Sequence, residues 1–215
     1  MFIELVDSLR CVEAHEDTWL VASVSRMDGR HIVTGLLGCP VCRREYPVRD
    51  GITWFVDRDD PGTRSLTPAP DGTDPELVTR AAALLGLTDA GGIVVLGGHW
   101  VACANPIAEL GAAHVVVLDA VPPSRSAQEV SAVVVGHGLP FAAGAVRGIA
   151  LGGTAATPRR IESAARVLRP RGRLIAPTSA EQPAEVTELA RDAADWVAER
   201  GAASSPPIPL RSARR

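Results

Sequence analysis

Apolar and polar positions change rhythm twice along the chain. Near the start they alternate with a period of two. Residues 18–24 (TWLVASV) and 31–37 (HIVTGLL) read as two short strands, with the turn signal Met27-Asp28-Gly29 between them. From residue 75 the pattern becomes blocks. Residues 93–96, 114–118, 130–135, 146–151 and 173–177 are short apolar runs that read as buried strands. Residues 75–85, 106–110, 158–168 and 183–200 carry helical patterns. Continuous apolar strands alternating with helices predict an α/β fold, a doubly wound, mostly parallel Rossmann-like sheet of about five strands. The expected organisation is a small β domain over 1–60, a linker over 61–75, the Rossmann domain over 76–200 and a flexible basic tail over 201–215.

Composition narrows the chemistry. The 215 residues are 46% hydrophobic and 22% charged, with a formal net charge of -3, enough apolar material for a true core. All 22 basic residues are Arg, so Schiff-base chemistry and a P-loop lysine are excluded. Residues 1–60 hold 7 Arg against 11 acids, and 76–200 hold 11 Arg against 12, so neither half is a strongly basic nucleic-acid domain. No apolar run reaches the roughly 18 residues that span a bilayer. Glu4 and Asp7 stand where a signal peptide needs a basic flank. The expected location is the cytoplasm.

Cysteines lie at 11, 39, 42 and 103. Cys39-Pro40-Val41-Cys42 is a C-x2-C knuckle, which sets two thiolates at one edge of a turn, as tetrahedral zinc requires. Cys11 and His15 supply the other pair. His31 competes as fourth ligand, and ordinary buried thiols at Cys11 and Cys39 are the bland alternative. Four ligands leave no position for water, so the expected zinc is structural, stapling a segment too small to rely on its own core.

The stretch CPVCRREYPVRDGITWF, residues 39–55, resembles the C-terminal half of the small zinc-ribbon proteins that activate tRNA, ribosomal and release-factor methyltransferases. Tyr46-Pro47-Val48 and Asp50-Gly51-Ile52 match that family's pattern after the knuckle. The resemblance implies a stabilising partner, not a catalyst.

The central segment resembles class I S-adenosylmethionine-dependent methyltransferases. GLPFAAGAVRGIAL (138–151) is similar to the family's Leu-Pro-Phe stretch before the fourth strand, and AARVLRPRGRLIA (164–176) to its Leu-Arg-Pro-Gly-Gly stretch. The resemblance implies cofactor contacts from Gly97, Gly98 and Asp119 at the ends of the first two strands. Other family positions differ here. The acid of the first loop falls on Val95, its later glycines on His99 and Val101, and the acid that contacts adenine near Val135. Trp100 is expected to fill the place of the cofactor's amino-acid end. The acid after Leu-Pro-Phe falls on Arg147, and Leu151 to Ala156 offers no acid or base. The chain is expected to stop short of the family's last antiparallel strand pair.

Other residues admit two readings. His99 and His137 flank the expected cleft as candidate bases or plain surface residues. Cys103 is a helix-start thiolate or a buried filler. Arg159, Arg160, Arg166, Arg169, Arg171 and Arg173 form a basic cluster that touches RNA or is a solvated face. Trp19, Trp54 and Trp196 read as core or interdomain packing.

The expected function is a non-catalytic, methyltransferase-like scaffold with a zinc ribbon, binding a methyltransferase or translation-related protein. The alternative is an active S-adenosylmethionine-dependent methyltransferase with its activator ribbon in cis. A third is a binder of another nucleotide through Asp119.

Overall fold

A computed structural model describes residues 1–56, 66–68, 74–111, 113–121, 130–136 and 138–202. A short 3-10 turn, Ile3–Ser8, leads to β1 (Val21–Asp28), β2 (His31–Gly38), β3 (Glu45–Arg49), β4 (Ile52–Phe55) and the two-residue β5 (Thr67–Pro68). Then come α1 (Pro75–Leu85), β6 (Ile93–Gly97), α2 (Ala104–Glu109), β7 (His114–Leu118), the two-residue β8 (Ala120–Val121), β9 (Val130–Val135) and β10 (Val146–Leu151). The described chain closes with α3 (Pro158–Val167), β11 (Leu168–Pro177), β12 (Val186–Arg191) and β13 (Asp195–Arg200).

Among the described residues, eleven strands form one sheet in the order β1-β2-β3-β4-β9-β7-β6-β10-β11-β13-β12. The six strands from β4 to β11 in that order are parallel. The N-terminal meander joins the rest through β4, whose Ile52 to Phe55 pair in register with Ala132 to Val135 of β9. Its tight turn at Asp50 and Gly51 has φ of 49 and 80, the left-handed pair that matches the twist of a two-residue hairpin.

Strand alternation divides the core. Val94, Leu96, Val115 and Val117 face one side, with Leu85 of α1 and Ile107 of α2. Val95, Val116, Val133 and Ile149 face the other, with Ile161 and Ala164 of α3. Leu5 and Leu9 pack into this second layer, so the N-terminal segment covers a face of the parallel sheet. Backbone bonds hold it there: Arg10 donates to Pro140 at 2.9 Å, and Ala142 to Ser8 at 2.9 Å.

The expected helix over 183–200 is instead the β12–β13 hairpin, with β13 antiparallel to β11. The sheet therefore exceeds five strands, and the final antiparallel pair is present. The carboxylate of Asp192 builds the turn by accepting from the amides of Ala194 at 2.8 Å and Asp195 at 2.9 Å. Sliding β13 into the sheet buries Trp196 and Ala198 completely, which outweighs local helix propensity. Most of the expected linker and all but two residues of the expected tail lie outside the described residues. Among the described residues, no helix is long and apolar enough to cross a membrane.

Candidate functional site

Two places gather chemistry. The first is the knuckle between β2 and β3. The Cys39 amide donates to the Arg44 carbonyl at 2.8 Å, and the Arg43 amide donates back to Cys39 at 3.0 Å, with Arg43 at φ 62. This tight loop turns Cys39 and Cys42 toward the segment that precedes β1. There the Sγ atoms of Cys11, Cys39 and Cys42 and a ring nitrogen of His15 all lie within 4.8 Å of one another. Cys11 Sγ is 3.6 Å from Cys42 Sγ, and Cys39 Sγ is 3.4 Å from His15 Nε2. A tetrahedron with metal–sulfur bonds near 2.3 Å has edges of about 3.8 Å, so the four donors fit zinc. His31 stands apart in β2, its ring 5.6 Å from Phe2.

The surroundings orient these donors. His15 Nδ1 lies 2.7 Å from the Glu16 carbonyl, which only accepts, so Nδ1 carries the proton and Nε2 keeps its lone pair for a metal. The buried Tyr46 hydroxyl accepts from the Val12 amide at 3.3 Å and reaches Cys11 Sγ at 3.1 Å. That gives the tyrosine after the knuckle a role the sequence reading did not assign. Burial pushes the Cys11 thiol up to about 11. Burial opposes ionisation of Cys39 too, but bonds from the Cys42 and Val41 amides bring it down to about 7.

The second place is a cleft of about 1270 Å³ beyond the carboxyl ends of β6 and β7. It lies where the strand order reverses between β6 and β10, the position at which open α/β sheets bind ligands. Gly98, His99, Asp119, Thr154, Thr157 and Arg160 are among its lining residues. Asp119 sits at φ 53 just past β7. Its Oδ1 accepts from the Val135 amide at 2.9 Å, and its Oδ2 pairs with Arg160 Nη2 at 2.5 Å. The Arg160 side chain is only 5% exposed and also donates to the Val135 carbonyl at 2.9 Å. Both oxygens of the expected ribose contact are therefore engaged by the protein.

The glycines of the first loop serve contact between two loops. A Cβ on Gly98, which has φ +68, would lie 2.0 Å from the Gly152 carbonyl oxygen. A Cβ on Gly152 would lie 2.3 Å from His99 Nδ1. The Gly152 amide donates to the Gly97 carbonyl at 3.1 Å. Gly98→Ala is accordingly expected to cost about 3 kcal/mol or more, through backbone overlap and a left-handed φ. The urea midpoint of this variant, set beside that of Gly138→Ala, checks it, because a Cβ on Gly138 meets only Ser163 Oγ, at 3.7 Å.

Several expectations change. Trp100 does not fill the cleft: it is fully buried in the α1–α2 layer. His99 is exposed on the cleft wall, its ring 4.7 Å from that of Trp100. Cys103 is a buried filler whose thiol burial pushes up to about 11, which opposes a thiolate. Trp19 is 63% exposed beneath the Arg10 guanidinium, not in a core, whereas Trp196 is fully buried. The six arginines do not share one surface. Arg159 and Arg160 line the cleft, and Arg169, Arg171 and Arg173 line a pocket at the other end of the strands. His137 lies outside the described residues.

No protein-family model matches the chain, and no curated protein sequence does. Solved structures similar to it include the antibiotic-resistance methyltransferase Kmr, at 15% identity over 63% of this chain and 98% of that one, with a TM-score of 0.41. Another is geranyl diphosphate methyltransferase in complex with GPP and sinefungin, at 16% identity over 47% of this chain and 43% of that one, TM-score 0.38. A third is phospholethanolamine N-methyltransferase 2 of Haemonchus contortus in complex with S-adenosylhomocysteine, at 13% identity over 47% and 27%, TM-score 0.40. The chain thus spans less than half the length of two of these three. The strand order and the position of the cleft define the architecture without them: a Rossmann-like α/β sheet extended by an N-terminal meander.

Proposed function

We propose that this chain is a methyltransferase-like scaffold, stapled by a structural zinc, that binds a protein partner and does not itself transfer methyl groups. The observation that carries the reading is the Asp119–Arg160 pair. A ribose that competes for this carboxylate must draw it away from a guanidinium buried against solvent, and unpairing a buried charge costs about 3–5 kcal/mol. The glycine loop adds to this, since the close approach that Gly98 permits is used by Gly152 of the facing loop. Each further polar contact missing from the first loop removes about 1–3 kcal/mol of ligand binding.

In this reading residues 1–60 form the zinc ribbon and 76–200 the Rossmann unit. Cys11, His15, Cys39 and Cys42 would hold the metal, which would supply a cross-link between the N-terminal segment and the β2–β3 knuckle. The partner is a methyltransferase or a translation-related protein, met in the cytoplasm, where thiols stay reduced. The size of the cleft favours a second reading, an S-adenosylmethionine-dependent methyltransferase with its ribbon in cis.

Calorimetry of the zinc-loaded protein with S-adenosylmethionine and S-adenosylhomocysteine separates the two. The scaffold reading expects no heat of binding at about millimolar ligand. Binding near about 1 μM that is lost in Asp119→Asn, a variant that still offers the Val135 amide an acceptor, would install the enzyme reading instead.

A further inference from the structure

At the amino ends of β10 and β11, opposite the cleft, Arg147, Arg169, Arg171 and Arg173 line a pocket of about 240 Å³ with Glu199 on its wall. A bulge builds it. Val146 pairs with Leu168 and Gly148 with Arg173, so Arg147 alone on β10 is opposed by the four residues 169–172 of β11. Arg171 takes a left-handed φ of 62, unusual for a residue with a long side chain. Gly172 permits the close approach, because a Cβ there would lie 2.8 Å from the Arg169 carbonyl and 2.9 Å from that of Arg147.

Two of the four arginines have internal duties. Arg147, 4% exposed, donates to the carbonyls of Gly86 at 2.9 Å, Gly91 at 3.1 Å and Asp89. Arg173 donates to the carbonyls of Leu84 at 3.2 Å and Ala83 at 3.3 Å, and its Nε stands 3.8 Å from Glu199. Together they close the carbonyl end of α1, a favourable use of positive charge. Capping does not account for Arg169 and Arg171. Both are exposed, and among the described residues neither side chain has a hydrogen bond or a carboxylate partner. Burial and the neighbouring Arg169 charge push the Arg147 pKa down, against an opposing pull from Asp89. Four guanidinium groups line the pocket against one lining carboxylate, Glu199, with Asp89 close enough to act on Arg147, and this excess of positive charge on a bulge calls for an anion.

We propose that this pocket is a binding site for one phosphate group, gripped by Arg169 and Arg171 over the fixed charges of Arg147 and Arg173. Planar guanidinium groups match phosphate oxygens two at a time. The volume suits the phosphate end of a ligand and falls below the roughly 300 Å³ at which pockets enclose a whole small molecule. The rest of the ligand therefore projects into solvent. The phosphate belongs either to a free phosphorylated small molecule or to a nucleic-acid backbone.

The test uses the full chain, with pyrophosphate as probe in calorimetry at low salt and a labelled single-stranded oligoribonucleotide in anisotropy. Arg169→Gln/Arg171→Gln, which alters exposed side chains only, is the variant, and its melting midpoint is measured alongside. Pyrophosphate is expected to bind the parent and to weaken at least about tenfold in the variant. Oligonucleotide binding that pyrophosphate displaces, and whose salt slope falls by about one per arginine removed, supports the site with a nucleic-acid backbone as source. Binding of pyrophosphate alone supports it with a free phosphorylated molecule as source. Equal binding by parent and variant overturns the site, as does no pyrophosphate binding at about 10 mM. None of these readouts depends on the cofactor titration, so either idea can fail without the other.

Discussion

If the proposed zinc staple holds, Cys39→Ser is expected to lower the thermal midpoint by about 10–20 °C and to abolish zinc retention by the purified protein. The donor geometry supplies the reason. Cys39 is buried, 3.4 Å from His15 Nε2, and starts the knuckle that carries Cys42 to within 3.6 Å of Cys11. Zinc at such a site contributes folding free energy directly, about 10–16 kcal/mol in isolated finger peptides. Here β4 also holds the meander to β9, so the expected loss is smaller, about 5 kcal/mol. Metal analysis of protein purified without chelator is expected to find one zinc per chain. His15→Ala is expected to weaken retention against a chelator, and His31→Ala to leave it unchanged, since His31 contacts Phe2 and lies outside the cluster. A metal-free parent that melts with Cys39→Ser would remove the structural zinc.

Asp119→Ala is expected to cost about 3–5 kcal/mol of folding stability, because it strands a buried guanidinium. The remaining bonds from Arg160 to the Val135 and Gly136 carbonyls place the loss toward the lower end. A carboxylate kept only for a ribose would change ligand binding and leave the unfolding midpoint in place. Chemical denaturation of the ligand-free protein therefore reports which role the residue has. Asp119→Ala/Arg160→Met is expected to recover most of the loss, since an apolar replacement of the whole pair leaves no buried charge behind. Additive losses in that double variant would dissolve the pair as an energetic unit, and with it the main support for the scaffold reading.

Local pattern carried far in this chain. The apolar blocks at 93–96, 114–118, 130–135 and 146–151 became β6, β7, β9 and β10 within a residue or so, because buried parallel strands leave few polar positions to confuse. The segment 183–200 misled because its alanines, glutamates and spaced apolar residues suit a helix. Its local signal for a hairpin was a single turn residue, Asp192. What decided the matter was an open position beside β11, which no window of the sequence contains. Trp100 misled for a related reason: the loop position suggested the cleft, and the side chain turned to the opposite layer.

Residue type and short spacing sufficed for the C-x2-C knuckle, the zinc-ligand candidates and five of the six strands of the parallel sheet, β4 being the one they missed. Both are properties that the chain writes locally. The tertiary structure alone decided that His15 and not His31 joins the three cysteines. It alone joined β4 to β9, committed Asp119 to Arg160 across 41 positions, and set Arg159 and Arg160 at one end of the sheet and Arg169, Arg171 and Arg173 at the other. The physical reason is common to all four. Each depends on which groups long-range strand pairing brings within hydrogen-bonding distance, and the energy of those contacts does not exist until the sheet has formed.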